Sequence, residues 1–212
     1  MTDALIQPLR DAIVEMKIDE TEDLCRKCLD ASLSPIDILN NSLIPALDIV
    51  GTLFRDGDYF LPDVLMSVKA YNNCYTVLEP LLKGGDYKPR GTVLLGTVAG
   101  DIHEIGKNIL LALLQGNGFD VIDLGIDVAA ETFMEKARET NPDIIGMSAL
   151  LSTTMPCMKE VIDLFTEAGI RDKYKFIIGG SPISQRFAEE IGADGYGEDA
   201  QAGVELAKSL MI

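Results

Sequence analysis

The chain of 212 residues carries one histidine, His103, two positions after Asp101 and three before Gly106. A carboxylate beside an imidazole fixes the tautomer of the ring and raises its basicity, which is how metal-bound histidines are supported. The competing reading is a polar residue satisfied by its neighbours, or a helix cap. Glycine at 106 would let the start of a following helix approach a large ligand closely.

The elements that must position these residues are legible around them. Val93–Leu95 open a short apolar run that ends in the small residues Gly96–Gly100, and Ile109, Leu110, Leu113 and Leu114 follow at helical spacing. That is a buried strand, a loop and a helix packing back on a sheet. Loops after the strands of open α/β sheets are where ligands sit. Strands are predicted at Val93–Val98, Val121–Leu124, Ile144–Ser148, Phe176–Ile178 and Gly195–Tyr196. Helices are predicted between and after them at Glu104–Asn117, Ala130–Thr140, Met155–Ala168, Ser184–Ile191 and Ala200–Met211. Such alternation implies a Rossmann-like parallel sheet, with the five-strand flavodoxin-like order expected.

Before residue 83 every periodic segment is helical. Helices are expected near Asp3–Met16, Glu20–Ala31 (capped by Asp19 or Thr21), Pro35–Phe54 with Ser34 as N-cap, and Leu61–Leu82, which carries Val64, Leu65, Val68 and Val77. Four helices of this length make a bundle. The glycine- and charge-rich Lys83–Gly91 marks a boundary, giving a helical-bundle cap domain at 1–88 and an α/β domain at 89–212.

Composition narrows the partners. Hydrophobic residues make up 47% and charged residues 25%, ordinary for a globular chain, and the formal net charge is −16. Residues 1–88 hold 8 basic and 15 acidic side chains, the remainder 10 and 19, so neither half offers a basic face for nucleic acid or anionic lipid. No apolar run approaches the ~20 residues of a bilayer span. The N-terminus lacks a signal-peptide layout, so a cytoplasmic protein is expected. Cys25, Cys28, Cys74 and Cys157 do not form a disulfide framework in so long a chain. A zinc site on Cys25 and Cys28 would need both other thiols, so they read as core or surface cysteines.

Several familiar chemistries fail on the residues. Aligning Gly106-Lys107 with a P-loop puts Asp101 on its first glycine and Asn108 on its Ser/Thr, and Gly96 and Gly100 are wrongly spaced for G-x-G-x-x-G. A phosphorylated receiver domain needs an aspartate ending the third strand, where Ser148 stands. A zinc hydrolase as a rule needs three protein ligands. What remains is a cofactor that brings its own equatorial ligands and asks the chain for one axial nitrogen.

Asp101-Ile102-His103-Glu104-Ile105-Gly106 is a D-x-H-x-x-G motif; Ser148-Ala149-Leu150 follows as S-x-L, and Gly179-Gly180 as G-G after the fourth strand. In this order, at successive strand ends, they resemble the cobalamin-binding domains. Tyr59-Phe60-Leu61-Pro62 is similar to the cap region of methionine synthase. Cap plus cobalamin domain together resemble the corrinoid proteins of anaerobic methyltransferase systems, over nearly the whole chain.

The resemblance implies a base-off/His-on corrinoid, with His103 as the lower ligand of cobalt in place of the cofactor's own base. Asp101 would bond the other ring nitrogen, and Thr154 would extend the relay where methionine synthase has a serine. Ile102, Ile105 and Gly106 would contact the cofactor. Ser148, Leu150 and Ser152 would line the slot for its nucleotide tail. Gly179 and Gly180 would leave room there for the base, since a β-carbon would occupy the tail's space. Phe60, Leu61 and Met66 would cover the upper face of the corrin, unless they belong to the bundle core. By resemblance the chain is a methyl carrier rather than a complete enzyme. Cobalt(I) takes a methyl group from a methylated substrate through a substrate-specific methyltransferase, and methyl-cobalt(III) passes it to a second methyltransferase using a folate or thiol acceptor. A reductive activase would rescue oxidised cobalt, and the cap would swing aside on Lys83–Gly91. The other readings are a cobalamin-dependent sensor and the small subunit of an adenosylcobalamin mutase. The acidic first 88 residues disfavour the sensor, and the bulky Tyr59-Phe60-Leu61 disfavours the mutase.

Overall fold

A computed structural model describes residues 3–83 and 89–211. The chain divides into two compact units, Met1–Lys88 with Gly116–Gly118, and Pro89–Gln115 with Phe119–Ile212. Of the segment expected to act as a hinge, residues 84–88 lie outside the described residues.

The first unit is helical. Helix α1 (Asp3–Val14) buries Ile6, Leu9, Ala12 and Ile13, and α2 (Ile18–Asp30) buries the small side chains Thr21, Cys25 and Cys28. Neither Asp19 nor Thr21 caps α2. Lys17 occupies that position without a side-chain bond, and the Thr21 hydroxyl instead donates to the Ile18 carbonyl within the helix.

Ser34 does cap the next segment, accepting the Asp37 N–H at 3.1 Å with Pro35 in the first turn. The single helix expected there proves to be three joined pieces: α3 (Pro35–Ile38), a π-helical turn at Leu39–Leu43, and α4 (Ile44–Asp56). Pro45 supplies the reason. It has no N–H to return to the preceding turn and its ring crowds the carbonyl four residues back, so the turn widens and the Ile44 N–H reaches back to the Leu39 carbonyl. Gly57, at φ +83°, ends α4.

The run Pro35–Asp56 is long and apolar enough, by length and composition, to cross a membrane. Ile38, Leu39, Leu43, Ala46, Leu47 and Val50 on it are buried inside the protein. Helix α5 (Leu61–Lys83) buries Val64, Val68, Tyr71, Cys74 and Leu78. Leu65, also carried by this helix, is 47% exposed.

The second unit is a five-stranded parallel sheet in the order β2-β1-β3-β4-β5. The strands are β1 (Thr92–Thr97), β2 (Asp120–Asp123), β3 (Ile144–Ser148), β4 (Lys175–Gly179) and β5 (Gly195–Gly197). The helices are α6 (Ile105–Gly116), α7 (Ala130–Thr140), α8 (Met155–Glu167), α9 (Gln185–Ile191) and α10 (Ala200–Leu210). Continuous apolar runs such as Val93–Leu95 and Ile144–Ile145 are fully buried, as strands covered on both faces require. Phe133, Phe165, Phe176 and Ile178 fill the layer under α7 and α8, with the rings of Phe165 and Phe176 edge to face at 5.1 Å. Register aligns Thr97, Ser148, Gly179 and Gly197 as the last rung. The motif residues therefore fall on or just past one edge of the sheet, the carboxyl edge.

Candidate functional site

Asp101 organises the loops at that edge. It has no exposed surface, and every hydrogen bond to its carboxylate comes from a donor. One oxygen, Oδ1, accepts the backbone N–H of His103 at 3.0 Å and faces His103 Nδ1 at 2.7 Å. The other, Oδ2, accepts the N–H of Leu150 at 2.8 Å and of Leu151 at 3.2 Å. The Thr154 hydroxyl lies 2.9 Å from Oδ2 and 2.9 Å from the Leu151 carbonyl oxygen, two acceptors for its one proton. Burial pushes the Asp101 carboxyl up, but the backbone N–H groups of His103 and Leu150, the His103 ring and the Thr154 hydroxyl outweigh it. They hold the group well below the ordinary carboxylate range.

An ionised carboxylate can only accept, so Nδ1 of His103 is the protonated nitrogen and Nε2 of the neutral ring is bare. The His103 side chain is 46% exposed, and Nε2 has no partner among the described residues. The structure thus brings Asp101, His103, Leu150 and Thr154 together. It ties the loop after β1 to the loop after β3 through a single carboxylate.

Three contributors to this arrangement carried no sequence signal. The buried Thr97 donates its hydroxyl to the His103 carbonyl at 3.0 Å, holding the ligand loop from below. The Leu150 and Leu151 N–H groups act through backbone, which side-chain identity does not reveal. Lys107, with its side chain 1% exposed, lies in the first turn of α6 and bonds Asn108 Oδ1 at 2.7 Å and both Asp123 oxygens at 2.7 and 2.8 Å. A buried cation at a helix N-terminus opposes the macrodipole. The Asp123 pair compensates it and ties the start of α6 to the end of β2.

Large aliphatic side chains stand exposed on or beside the loops that carry His103 and its Asp101 partners, Ile102 at 69%, Ile105 at 62% and Leu150 at 43%, with the exposed Glu104 among them. A fringe of large exposed aliphatic side chains around one polar tip marks a binding surface rather than a solvated one. Among the described residues a β-carbon on Gly106 would meet no atom of a packed neighbour within 4 Å, so their packing does not demand glycine there. The half-buried Ser148 and the exposed Ser152 make no side-chain hydrogen bond among the described residues and leave their hydroxyls to a ligand.

At Gly179 and Gly180 the protein's own packing supplies a reason for glycine besides the one expected from a ligand. A β-carbon on Gly180 would lie 1.8 Å from the Ala149 carbonyl oxygen, and the residue sits at φ +130°. The loop after β3 already requires glycine at 180, whatever ligand comes near. At Gly179 the nearest atom would be the Gly197 carbonyl oxygen at 3.1 Å, a tight approach the protein also imposes.

Phe60, Leu61 and Met66 lie in the helical unit. Phe60 is 69% and Met66 44% exposed, and Leu61 is half-buried, so Phe60 and Met66 are not bundle core. The Phe60 N–H donates to Asp63 Oδ2 at 2.7 Å, and the neighbouring Tyr59 hydroxyl donates to the Val14 carbonyl at 2.8 Å. The ring is thereby held out at the start of α5 by bonds on either side of it.

A carboxyl-edge loop carrying a lone carboxylate-backed imidazole, in an apolar fringe, fits a planar cofactor that needs one axial nitrogen. Comparison with known proteins gives the family: the chain belongs to the B12 binding domain family, which matches residues 91–205, and a second B12 binding domain family matches residues 5–79. It is 44% identical over 211 residues to a corrinoid protein of Desulfitobacterium hafniense, covering 98% of each chain. It is 41% identical over 209 residues to dimethylamine corrinoid protein 2 of Methanosarcina acetivorans, covering 98% of this chain and 96% of that one. Among solved structures it is similar to the methanol:cobalamin methyltransferase complex of Methanosarcina barkeri. That match has a TM-score of 0.86 at 35% identity, over 99% of this chain and 80% of the other.

Proposed function

We propose that this chain is a base-off/His-on corrinoid carrier that passes methyl groups between the enzymes of a multi-component methyltransferase system. The observation that carries the reading is the His103 imidazole, its Nδ1 bound to an ionised Asp101 at 2.7 Å and its Nε2 bare. His103 would supply the lower axial nitrogen. Ile102, Ile105, Gly106 and Leu150 would lie against the corrin, and Ser148, Ser152 and Gly179 beside the nucleotide tail. Phe60, Leu61 and Met66 are apolar side chains suited to cover its upper face. Bound there, the corrinoid supplies a cobalt centre able to take up and give up a methyl group.

The chain's own part is to set the imidazole. Asp101 holds the ring in one tautomer, with Nε2 unprotonated. A proton arriving at Nε2 would make the ring an imidazolium. The resulting imidazolium then lies beside a carboxylate that compensates its charge. The Thr154 hydroxyl stabilises that carboxylate in both states.

The corrinoid relatives of methylamine systems and the methanol methyltransferase complex support a substrate-specific methyltransferase as the loading partner. A second methyltransferase with a folate or thiol acceptor, a reductive activase and a cytoplasmic location complete the proposal.

Anaerobic reconstitution with cobalamin followed by EPR of the cobalt(II) state tests it. Nitrogen superhyperfine splitting from the protein is expected in the wild type and absent in His103→Gln. A chain that stays colourless, or that holds cobalamin with the cofactor's own base still on cobalt, would sink the reading.

A further inference from the structure

His103 lies on a coil between the end of β1 at Thr97 and the start of α6 at Ile105. Its direction depends on what fixes that coil, and one contact comes from the loop between β2 and α7. The Asp127 N–H donates to the Asp101 carbonyl at 3.0 Å, and Asp127 Oδ1 accepts the Gly100 N–H at 2.7 Å. One residue therefore holds both outer groups of the Gly100–Asp101 dipeptide, which Ile102 separates from His103. Gly100 itself sits at φ +78°, a conformation glycine adopts freely.

The backbone of Asp127 is unusual in its own right. Four non-glycine residues among those described have positive φ: Met16, Ser32, Asp127 and Asn141. Met16, Ser32 and Asn141 follow the ends of α1, α2 and α7, where a left-handed residue is an ordinary helix stop. Asp127, at φ +53°, precedes a helix and stops none. Left-handed strain away from helix ends collects where a loop must be aimed. Aspartate is among the residues that tolerate this region, and it adds the acceptor that Gly100 requires.

We infer that Asp127 is a positioning residue for His103, bracing the Gly100–Asp101 dipeptide so that the Asp101 carboxylate and the ring it orients keep one direction. The inference rests on His103 being the working group of the site, and its test is arranged to stand apart from the cobalt ligation.

Asp127→Gly tolerates φ +53° and loses the acceptor, whereas Asp127→Asn keeps both properties. The sole histidine makes the ring signals of an untagged apo chain unambiguous by nitrogen NMR at alkaline pH, where imidazoles are neutral. The Nδ1–H tautomer is expected to dominate in the wild type and in Asp127→Asn. In Asp127→Gly the tautomer ratio should move about five- to tenfold towards mixing, the equivalent of roughly one lost hydrogen bond. Amide exchange at Gly100 should be slow in the first two and fast in the third.

An unchanged ratio in folded Asp127→Gly overturns the inference, as does an Asp127→Asn chain that mixes tautomers as much as Asp127→Gly. Should Asp127→Gly fail to fold, fast Gly100 exchange in the wild type overturns it, and slow exchange in both wild type and Asp127→Asn supports it. Superhyperfine splitting that is absent from the cobalamin-loaded wild type refutes His103 as cobalt ligand and leaves the apo NMR result to judge the brace alone.

Discussion

Asp101→Asn should lose about 2–4 kcal/mol of stability in the apo chain, the cost of leaving one or two buried donors unpaired. Asparagine has the shape of aspartate, but its amide nitrogen donates. Oδ1 of Asp101 faces the N–H and ring of His103, and Oδ2 faces two backbone N–H groups and a hydroxyl. Whichever side the amide nitrogen takes, it meets donors. With the nitrogen towards Leu150 and Leu151, the loop after β3 loses its anchor. With the nitrogen towards His103, the ring turns over or flips tautomer, and Nε2 is no longer bare.

The pH dependence has a definite sign. The folded-state pKa of Asp101 is depressed, so its contribution is complete above the unfolded-state value of about 3.9 and is lost as pH falls below it towards the folded value. Urea denaturation should therefore show a wide gap between wild type and Asp101→Asn at neutral pH that narrows on acidification through pH ~3. A gap that stays constant, or one below about 1 kcal/mol at neutral pH, would show that the carboxylate does not bear the two loops.

Much of this site was legible in the sequence because its chemistry uses scarce residue types at fixed spacing. Asp101, His103 and Gly106 stand together in one turn of chain, and the strand–loop–helix hydrophobic pattern around them places them at a sheet edge. Sheet order followed from the alternation of strands and helices. Legibility ended where backbone does the work. The N–H groups of Leu150 and Leu151, the left-handed Asp127 and the π-helical turn ahead of Pro45 leave no side-chain pattern of their own. Lys107 entered the sequence reading only through the rejected P-loop alignment, and only the fold reveals Asp123 beside it. Leu65 shows the converse case, an apolar residue at a helical position that the bundle leaves outside.

Alanine at Gly180 and at Gly106, two of the three motif glycines, should have opposite consequences, and the contrast separates what the protein needs from what a ligand needs. Gly180→Ala places a methyl group 1.8 Å from the Ala149 carbonyl oxygen, on backbone at φ +130°. Backbone cannot rotate away as a side chain can, so the loops after β3 and β4 must part. A loss of ~3 kcal/mol or more is expected, from strain and clash together, and thermal or urea melting of the apo chain measures it.

Gly106→Ala lies in the first turn of α6, with no packed neighbour among the described residues within 4 Å of the new carbon and no positive φ. Replacing a helical glycine there should leave stability unchanged or raise it by up to about 1 kcal/mol. If that open space belongs to the corrin, the same methyl group must obstruct it, and cobalamin uptake by the folded variant should fall at least tenfold. Uptake at the wild-type level by Gly106→Ala would mean the corrin lies elsewhere. Wild-type stability in Gly180→Ala would mean the two loops are not packed as described.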